Sequence, residues 1–345
     1  MKEKGQEIKR LSLKDVARMA GVAPSTVSFV LNGKARQMRI SDELAEKVMA
    51  VVKKTGYTPH SVAVNLRTGQ SKTLGLMVES ISGSFFAALA RVIESEADKY
   101  GYNIVYCSTE NNPQKGGDLI RMLGRQQVDG YLITPAPGME KDIQQLQAHK
   151  RPVVLMDSYF PEVSVPYVLI DNAGGVKQGV KHLVGKGYKK IGFITVDMEL
   201  VQIQQRLQGY KETLRDNDMP VRNKQILKLS YNIPREEAIK TIQDFIKDNK
   251  GMDAIFFSTN YLGILGLESI AGLGLRIPDD IAMICFDDHD IFRLYPPGIT
   301  VVQQPIEEIA KTAMTLLMNQ LDKSKPATRK NQVEVPGKFI QRGSA

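Results

Sequence analysis

Polar side chains that suit the binding of a small molecule occur just after several apolar stretches of the sequence. Asp157 follows VVLM, Asn260 follows DAIFFST, and Asp287 lies in CFDDHD. A carboxylate accepts hydrogen bonds from paired hydroxyls. These residues indicate a site for a polar ligand.

The sequence lacks the motifs that would make such a site catalytic. It contains no G-x-x-x-x-G-K-[ST] phosphate loop, no G-x-S-x-G nucleophile elbow and no H-E-x-x-H zinc-binding helix. Asp287, Asp288 and Asp290 could suggest a metal site, but the glycine-containing loop of oxygen ligands that calcium sites use is absent. We therefore expect no enzymatic activity, no cofactor and no metal.

A second set of polar side chains lies near the N-terminus, on a short helix. Ser12 can cap a first helix that begins at Leu13 and ends at Gly21. Pro24 suits the first position of a second helix, which Asn32-Gly33 ends. The inward side chains of the second helix are Val27, Val30 and Leu31, and the outward ones are Ser25, Thr26, Ser28 and Phe29. Two short helices joined by a glycine-containing turn predict a helix-turn-helix.

The rest of this N-terminal region predicts a third helix and a basic surface. The helix starts at Ser41, buries Leu44, Val48 and Val51, and ends before Gly56. Residues 1–72 contain 14 Lys and Arg against 6 Asp and Glu, a net charge of +8, whereas residues 73–345 contain 32 of each. A basic module joined to a neutral body favours binding to a polyanion, and the second helix is free to enter a major groove.

A short helix and a linker follow the third helix. Residues 60–67 predict a helix with Val62, Ala63 and Leu66 on one side, before the linker Thr68-Gly69-Gln70-Ser71. A helix of this length is too short to be stable alone. We expect a hinge that folds when it binds a partner.

From Thr73 onward, apolar strands alternate with amphipathic helices. Helices are predicted at about 85–100, 117–126, 175–186 and 202–217, between strands that include TLGLMV, NIVYCST, DGYLITP, PVVLMD, YVLID, KKIGFIT and DAIFFST. Such alternation predicts an α/β fold with doubly wound parallel sheets, which bind ligands at the carboxyl ends of their strands.

The segments LKDVARMAGVAPSTVSFVLNG and GYTPHSVAVNLRTGQSKTLGL resemble the head and hinge of the lac repressor (LacI–GalR) family, and the resemblance continues through the body. It implies a homodimer that binds a palindromic operator in double-stranded DNA. The second helix would read the major groove, and the hinge leucine, Leu66, would wedge into the minor groove. The residues that correspond to DNA contacts are Pro24, Ser25, Thr26, Ser28, Phe29, Asn32, His60, Ala63 and Leu66.

Three residues of this region depart from the family pattern. Phe29 stands where many members have an arginine that reads a base, Ala23 replaces the usual helix-capping residue, and Val64 replaces a common hinge arginine. We expect these changes to alter the preferred half-site and to leave DNA binding itself intact.

For the body, the resemblance implies the periplasmic sugar-binding fold, with two lobes and an effector in the cleft between them. The residues that correspond to effector contacts are Ser82, Phe86, Asp157, Arg206, Asn260, Asp287 and Gln304. Tyr261 replaces the usual aspartate after Asn260, and Phe85 or Phe86 could supply an aromatic platform in a chain without tryptophan.

Each of these residues also has a purely structural interpretation. Asp287 and Asp288 could belong to a turn or a helix cap, Arg206 could be a surface residue of a helix, and Phe85 or Phe86 could belong to the core. Their convergence on one cleft favours the ligand site.

The domains expected are a helix-turn-helix head at 1–57, a hinge and linker at 58–72 and an effector-binding body at 73–345. Within the body, the N-lobe is expected at about 73–170 plus 304–333, and the C-lobe at about 171–303 plus 334–342. The function implied is transcriptional repression controlled by a sugar or sugar derivative. The alternative left open is a body that responds to a protein or phosphorylated coregulator.

The setting expected is the cytoplasm. No apolar run approaches the ~18 residues that span a membrane, and the N-terminus lacks the apolar region of a signal peptide. A sugar-binding protein without a DNA role would need that signal and no basic head. Cys107 and Cys285 lie in apolar stretches and are expected to be buried free thiols.

Overall fold

The computed structural model describes residues 11–57, 69–322 and 332–345. The chain forms two compact units, Met1–Ser71 and Lys72–Ala345, called here the head and the body.

The head consists of three helices, α1 (Leu13–Ala20), α2 (Pro24–Leu31) and α3 (Asp42–Thr55). Ser12 and Asp15 form a capping box at the start of α1, and Ser41 caps α3. Gly21 ends α1 in the left-handed conformation (φ 70°), which glycine adopts without steric cost. These boundaries agree with the sequence because caps and stops act locally.

The core of the head is small. It contains seven buried side chains: Val16, Ala17, Ala20, Val27, Val30, Val48 and Tyr57. Leu31, Leu44 and Val51, which we expected to be buried, are only half-buried. Three short helices enclose too little volume to cover every apolar side chain on their inner faces.

The body begins with an N-lobe built around a six-stranded parallel sheet. Its elements are β1 (Thr73–Val78), α4 (Ser84–Asp98), β2 (Asn103–Ser108), α5 (Pro113–Arg125), β3 (Gly130–Ile133), α6 (Glu140–Ala148), β4 (Val153–Met156) and β5 (Tyr167–Ile170).

The chain then forms the C-lobe. Its elements are α7 (Asn172–Gly185), β6 (Ile191–Val196), α8 (Val201–Asp216), a 3-10 turn (Asn223–Gln225), β7 (Ile226–Leu229), α9 (Arg235–Asp248), β8 (Ala254–Phe257), α10 (Asn260–Gly272), β9 (Ala282–Phe286), α11 (Asp290–Leu294) and β10 (Thr300–Gln303). The chain returns to the N-lobe for α12 (Ile306–Leu321) and β11 (Gln332–Val335), and ends in the C-lobe with β12 (Lys338–Ile340).

The two sheets have the strand orders β11-β5-β4-β3-β1-β2 and β12-β10-β9-β8-β6-β7. Helices cover both faces of each sheet, so the α/β doubly wound fold is confirmed. Only β12 departs from parallel pairing, since it lies antiparallel to β10. Strand β11 pairs with β5 along its whole length, which places residues 332–335 in the sheet of the N-lobe.

Helix α5 begins four residues before the expected start at 117. Asn112 caps it by accepting a hydrogen bond from the Lys115 N–H, and Pro113 takes its first position. Gly116 and Gly117 lower the helix propensity of this segment, so the sequence pattern did not indicate the first turn of the helix. A Cβ on Gly116 would lie 2.4 Å from the sulfur of Met139, so the glycine allows this close packing of the Met139 side chain.

Both cysteines of the described residues are free. Cys285 is buried as expected, whereas Cys107 is only half-buried because β2 lies at the edge of its sheet. Within the described residues, none of the helices has the length and apolar character needed to cross a bilayer.

Candidate functional site

The first candidate surface is the outer face of α2 in the head. Pro24, Ser25 and Asn32 are exposed, whereas Thr26, Ser28 and Phe29 are half-buried. The Asn32 amide donates to the Ser28 carbonyl at the end of the helix, so this side chain also terminates α2.

The surface of the head carries many basic side chains. Eight lysines and arginines of the described head are exposed: Lys14, Arg18, Lys34, Arg36, Arg39, Lys47, Lys53 and Lys54. The hinge residues His60, Ala63 and Leu66, together with Val64, lie outside the described residues.

The second candidate site is a cavity of about 540 Å³ between the two lobes of the body. Residues of both lobes line it, at the carboxyl ends of several strands. The lining includes all seven residues expected to contact an effector: Ser82, Phe86, Asp157, Arg206, Asn260, Asp287 and Gln304. The volume is within the range of small-molecule sites.

Two aspartates in the cavity have an unusual backbone conformation. Asp157 directly follows β4 with φ 63°, and Asp287 directly follows β9 with φ 70°. Left-handed geometry is uncommon for residues other than glycine, although aspartate tolerates it better than most, and it clusters at functional sites. The turn that ends each strand thus presents a carboxylate to the cavity from each lobe.

Arg206 lies on α8 and is only 3% exposed, so it is not a surface residue. Its guanidinium donates to the Asn172 side chain (2.8 Å) and to the Ser258 carbonyl (2.7 Å). It stacks 3.7 Å from the centre of the Phe286 ring and lies 3.8 Å from the Asp287 carboxylate. These contacts hold the cation rigidly at the floor of the cavity.

Each of the two aspartates has a glutamine partner. The Gln304 amide donates to Asp287 (2.8 Å), and the Gln202 amide donates to Asp157 (3.2 Å). Among the described residues, the carbonyl oxygens of both glutamines are buried without a hydrogen-bond partner. Buried polar atoms are normally satisfied, so these oxygens are candidates to accept hydrogen bonds from a ligand.

The electrostatic environment shifts the pKa values of the two aspartates. Burial raises the pKa of Asp157 to about 6, against the opposing effect of the Arg206 charge. Burial also raises the pKa of Asp287, and Arg206 and Gln304 oppose it. Desolvation therefore outweighs the favourable effect of the Arg206 charge at both groups.

The loop after Asp287 is anchored from the C-terminal segment. Arg342 forms a bidentate pair with Asp288 (2.9 and 2.6 Å) and also donates to the Ile299 carbonyl. Asp288 is therefore a structural residue, as the turn interpretation proposed for it. Asp287, in contrast, lines the cavity.

The two phenylalanines after β1 have different positions. Phe86 is buried in the N-lobe core as well as lining the cavity, so the core interpretation holds for most of its ring. Phe85 is half-buried, lines the same cavity and contacts Phe86 edge to face at 5.0 Å. Phe85 thus offers more surface to a ligand than the predicted Phe86.

Sequence reasoning missed several polar residues that line the cavity, among them Glu79, Glu110, Gln202 and Tyr231. Glu79 directly follows β1, as Asp157 follows β4, so the same strand-end rule could have found it. Tyr231 follows β7, a strand we did not predict. The Tyr231 hydroxyl donates to Glu79, whose pKa is raised to about 7 by burial.

Comparison with known proteins identifies the fold and the family. Residues 12–60 match the lacI family of bacterial regulatory proteins, and residues 180–345 match the periplasmic binding protein-like domain. The ribose operon repressor of Haemophilus influenzae is 31% identical over 311 residues, which cover 90% of this chain and 92% of that protein.

Two solved structures share the fold. The lac repressor dimer bound to operator and the anti-inducer ONPF has a TM-score of 0.84 at 22% identity, and covers 97% of this chain and 99% of its own. The transcriptional regulator CelR in complex with cellobiose has a TM-score of 0.70 at 25% identity, and covers 97% of this chain and 100% of its own. With a helix-turn-helix head, a two-lobed body and this degree of identity, the chain belongs to the lacI family of bacterial regulatory proteins, which are DNA-binding transcription regulators with an effector-binding domain and not enzymes.

Proposed function

We propose that this protein represses transcription by binding a palindromic operator as a homodimer, and that a sugar or sugar derivative bound between the lobes controls its operator affinity. The observation that carries the effector proposal is the cavity itself. Asp157, Arg206 and Asp287 converge there from separate elements, with two unpartnered glutamine oxygens beside them.

The chemistry of these groups suits a hydroxyl-rich ligand. Paired hydroxyls can donate to Asp157, Asp287 and the glutamine oxygens, and can accept from Arg206. The H. influenzae relative is named for a ribose operon, and the CelR structure contains cellobiose. Both names support a sugar as the class of effector.

The operator proposal rests on α2 and its basic surroundings. Ser25, Thr26, Ser28, Phe29 and Asn32 would contact base edges and phosphates, and the exposed lysines and arginines would hold the DNA backbone. Two heads related by symmetry would supply the surface that one small head lacks. The protein would act where the chromosome lies, in the cytoplasm.

The effector proposal can be tested with one isosteric variant. Asp287→Asn keeps the shape of the side chain and removes its charge, so it should weaken effector binding by about 1.5–3 kcal/mol and leave operator affinity intact. Asp244→Asn, an exposed position on α9, is the matched control and should behave as wild type. Sugars, sugar phosphates and nucleobases would first be screened by thermal shift, where a binder at a hundredfold excess over Kd adds ~2.7 kcal/mol.

Operator affinity would then be measured by fluorescence anisotropy with and without the stabilising compound. A normal effector response in Asp287→Asn would place the effector site elsewhere. If no compound changed the melting temperature or the operator affinity, the small-molecule proposal would be wrong, and a protein coregulator would become the better explanation.

A further inference from the structure

The charge of the cavity is uneven from one end to the other. Four carboxyl groups line it, those of Glu79, Glu110, Asp157 and Asp287. Among the described residues that line the cavity, Arg206 supplies the only guanidinium, and no lysine is present. Its ion pair is with Asp287, and its donors are directed to Asn172 and the Ser258 carbonyl. Arg206 therefore neutralises one end of the cavity and leaves the other acidic.

The acidic end is centred on Glu79. The groups that act on this carboxyl are the Tyr231 hydroxyl, the Asn111 side chain and the carboxyls of Asp157 and Glu110. Burial, together with the charge of nearby Glu79, raises the pKa of the Tyr261 hydroxyl. His289 also lines the cavity, and its Nδ1 accepts a hydrogen bond from the Ile291 N–H. Glu79 thus faces carboxyls, an amide and phenols, and the described residues around it include no cation.

These surroundings disfavour the ionised form of Glu79. Burial raises its pKa to about 7, and the charges of Asp157 and Glu110 act in the same direction. A cation placed beside the carboxyl would favour its ionised form. The aromatic rings of Tyr231 and Tyr261 next to a carboxylate are also groups that recognise an ammonium ion in other proteins.

A second, independent observation concerns unpartnered acceptors. Gln202 lines the cavity, is 4% exposed, and must orient its amide nitrogen toward the Asp157 carboxylate. Its Oε1 is then left without a partner among the described residues, as is the Oε1 of Gln304. The Gln202 oxygen, beside Asp157, can accept a hydrogen bond from a ligand, and an ammonium group carries three donors and no acceptor.

We propose that the effector is a hydroxyl-rich molecule that carries a protonated amine, as an amino sugar does, and that Glu79 and Glu110 hold the amine beside Tyr231 and Tyr261. The hydroxyls would bind at Asp287 and Arg206. This inference rests on the proposed function and specifies the class of its effector.

The test uses full-length protein and three forms of each sugar. The three forms differ at one substituent, which is a hydroxyl, a charged amine or a neutral amide. The first set is glucose, glucosamine and N-acetylglucosamine, and matching sets are made from galactose and mannose. Affinities would be measured by titration calorimetry at pH 7.5. In at least one set, the amine should bind about tenfold to a hundredfold more tightly than both neutral forms, since a charged hydrogen bond replaces a neutral one.

The matched variants are Glu79→Gln and Glu162→Gln, the second at an exposed position far from the cavity lining. The ratio of amine affinity to N-acetyl affinity should fall to about one in Glu79→Gln and remain at the wild-type value in Glu162→Gln. Operator binding and thermal unfolding would establish that each variant is folded.

A measurement on wild-type protein alone gives an independent readout. As the pH falls from 7.5 to 6, Glu79 takes up a proton and loses its charge, so amine affinity should decrease. Protonation of the amine itself would act in the opposite direction, so a decrease in affinity assigns the change to the cavity carboxyls Glu79 and Asp157, whose pKa values are raised to about 7 and about 6.

Three results would overturn the inference. The first is neutral sugars that bind as tightly as their amines, in which case the proposed sugar response stands and only the amine site is wrong. The second is a preference for the amine that Glu79→Gln retains or that strengthens as the pH falls. The third is that no sugar, charged or neutral, binds or changes operator affinity. In that case both the proposed sugar effector and the proposed amine site are wrong.

Discussion

The side chains of the candidate sites derive their properties from their immediate surroundings. Asp157 and Asp287 are the same residue type, each follows a strand, and each has a positive φ. Their roles nevertheless differ, because Arg206 pairs with Asp287 while Asp157 lies nearer the acidic end of the cavity. A ligand with several hydroxyls and one amine would meet both environments at once.

Phe29 provides a prediction at the scale of a single residue. It is half-buried on α2 and lies outside the buried core of the head. A phenylalanine can contact the thymine methyl group and cannot form the bidentate guanine contact of an arginine. Phe29→Arg should therefore shift the preferred base toward guanine by about 1–3 kcal/mol at one position of each half-site.

Selection of operators from random duplexes would measure this shift. Met38→Arg adds the same charge at an exposed position of the head outside α2, and should raise overall affinity without a change in base preference. The prediction fails if wild type already requires guanine at the position that Phe29→Arg alters.

At the scale of elements, the helix ends of the head differ in how they are capped. Ser12 and Ser41 accept hydrogen bonds from the first turns of α1 and α3. Helix α2 is preceded by Ala23, which has no side-chain acceptor although its backbone (φ −69°, ψ 148°) has the extended conformation of a capping residue. Helix α2 thus has a weaker start than its two neighbours.

Ala23→Ser should supply the missing cap. The serine hydroxyl can accept from an N–H of the first turn of α2, and the expected gain is ~1 kcal/mol of head stability. Ala50→Ser, at an exposed interior position of α3, is the control and should cost roughly 0.5 kcal/mol through lower helix propensity. Native-state hydrogen exchange of the α2 and α3 amides would measure both changes, and equal protection of α2 in Ala23→Ser and wild type would contradict the cap.

At the scale of the whole molecule, the head and the body differ in net charge. The net charge of +8 lies within residues 1–72, and the body is neutral overall. The head can therefore attract DNA over a long range, whereas a ligand in the cavity of the neutral body depends on local contacts.

Operator binding should be strongly dependent on salt. With ~6–10 phosphates contacted, the slope of log K against log [salt] should be roughly −5 to −9. Lys247→Gln, an exposed position on α9 of the body, should leave this slope unchanged. Anisotropy titrations across a series of salt concentrations would provide the slope, and a value near −1 would mean that the head does not hold the DNA backbone.

The sequence by itself determined the head almost completely. The capping residues, the apolar stripes and the glycine stop of α1 act within a few residues, so the three helices lie where the sequence places them. The same holds for the strand ends Asp157, Asn260 and Asp287, because an apolar strand and the polar residue after it are adjacent in the chain. The family resemblance added Arg206 and Gln304, which no local pattern singles out.

Only the tertiary structure decided which distant residues contact one another and how those contacts change their pKa values. A Cβ on Gly116 would meet the side chain of Met139, which follows much later in the chain, and no local signal records that contact. Glu79 and Tyr231 lie far apart in the sequence and in different lobes, yet they meet in the cavity. A pKa near 7 at Glu79 depends on desolvation by both lobes at once, and burial of that kind exists only when the chain has folded.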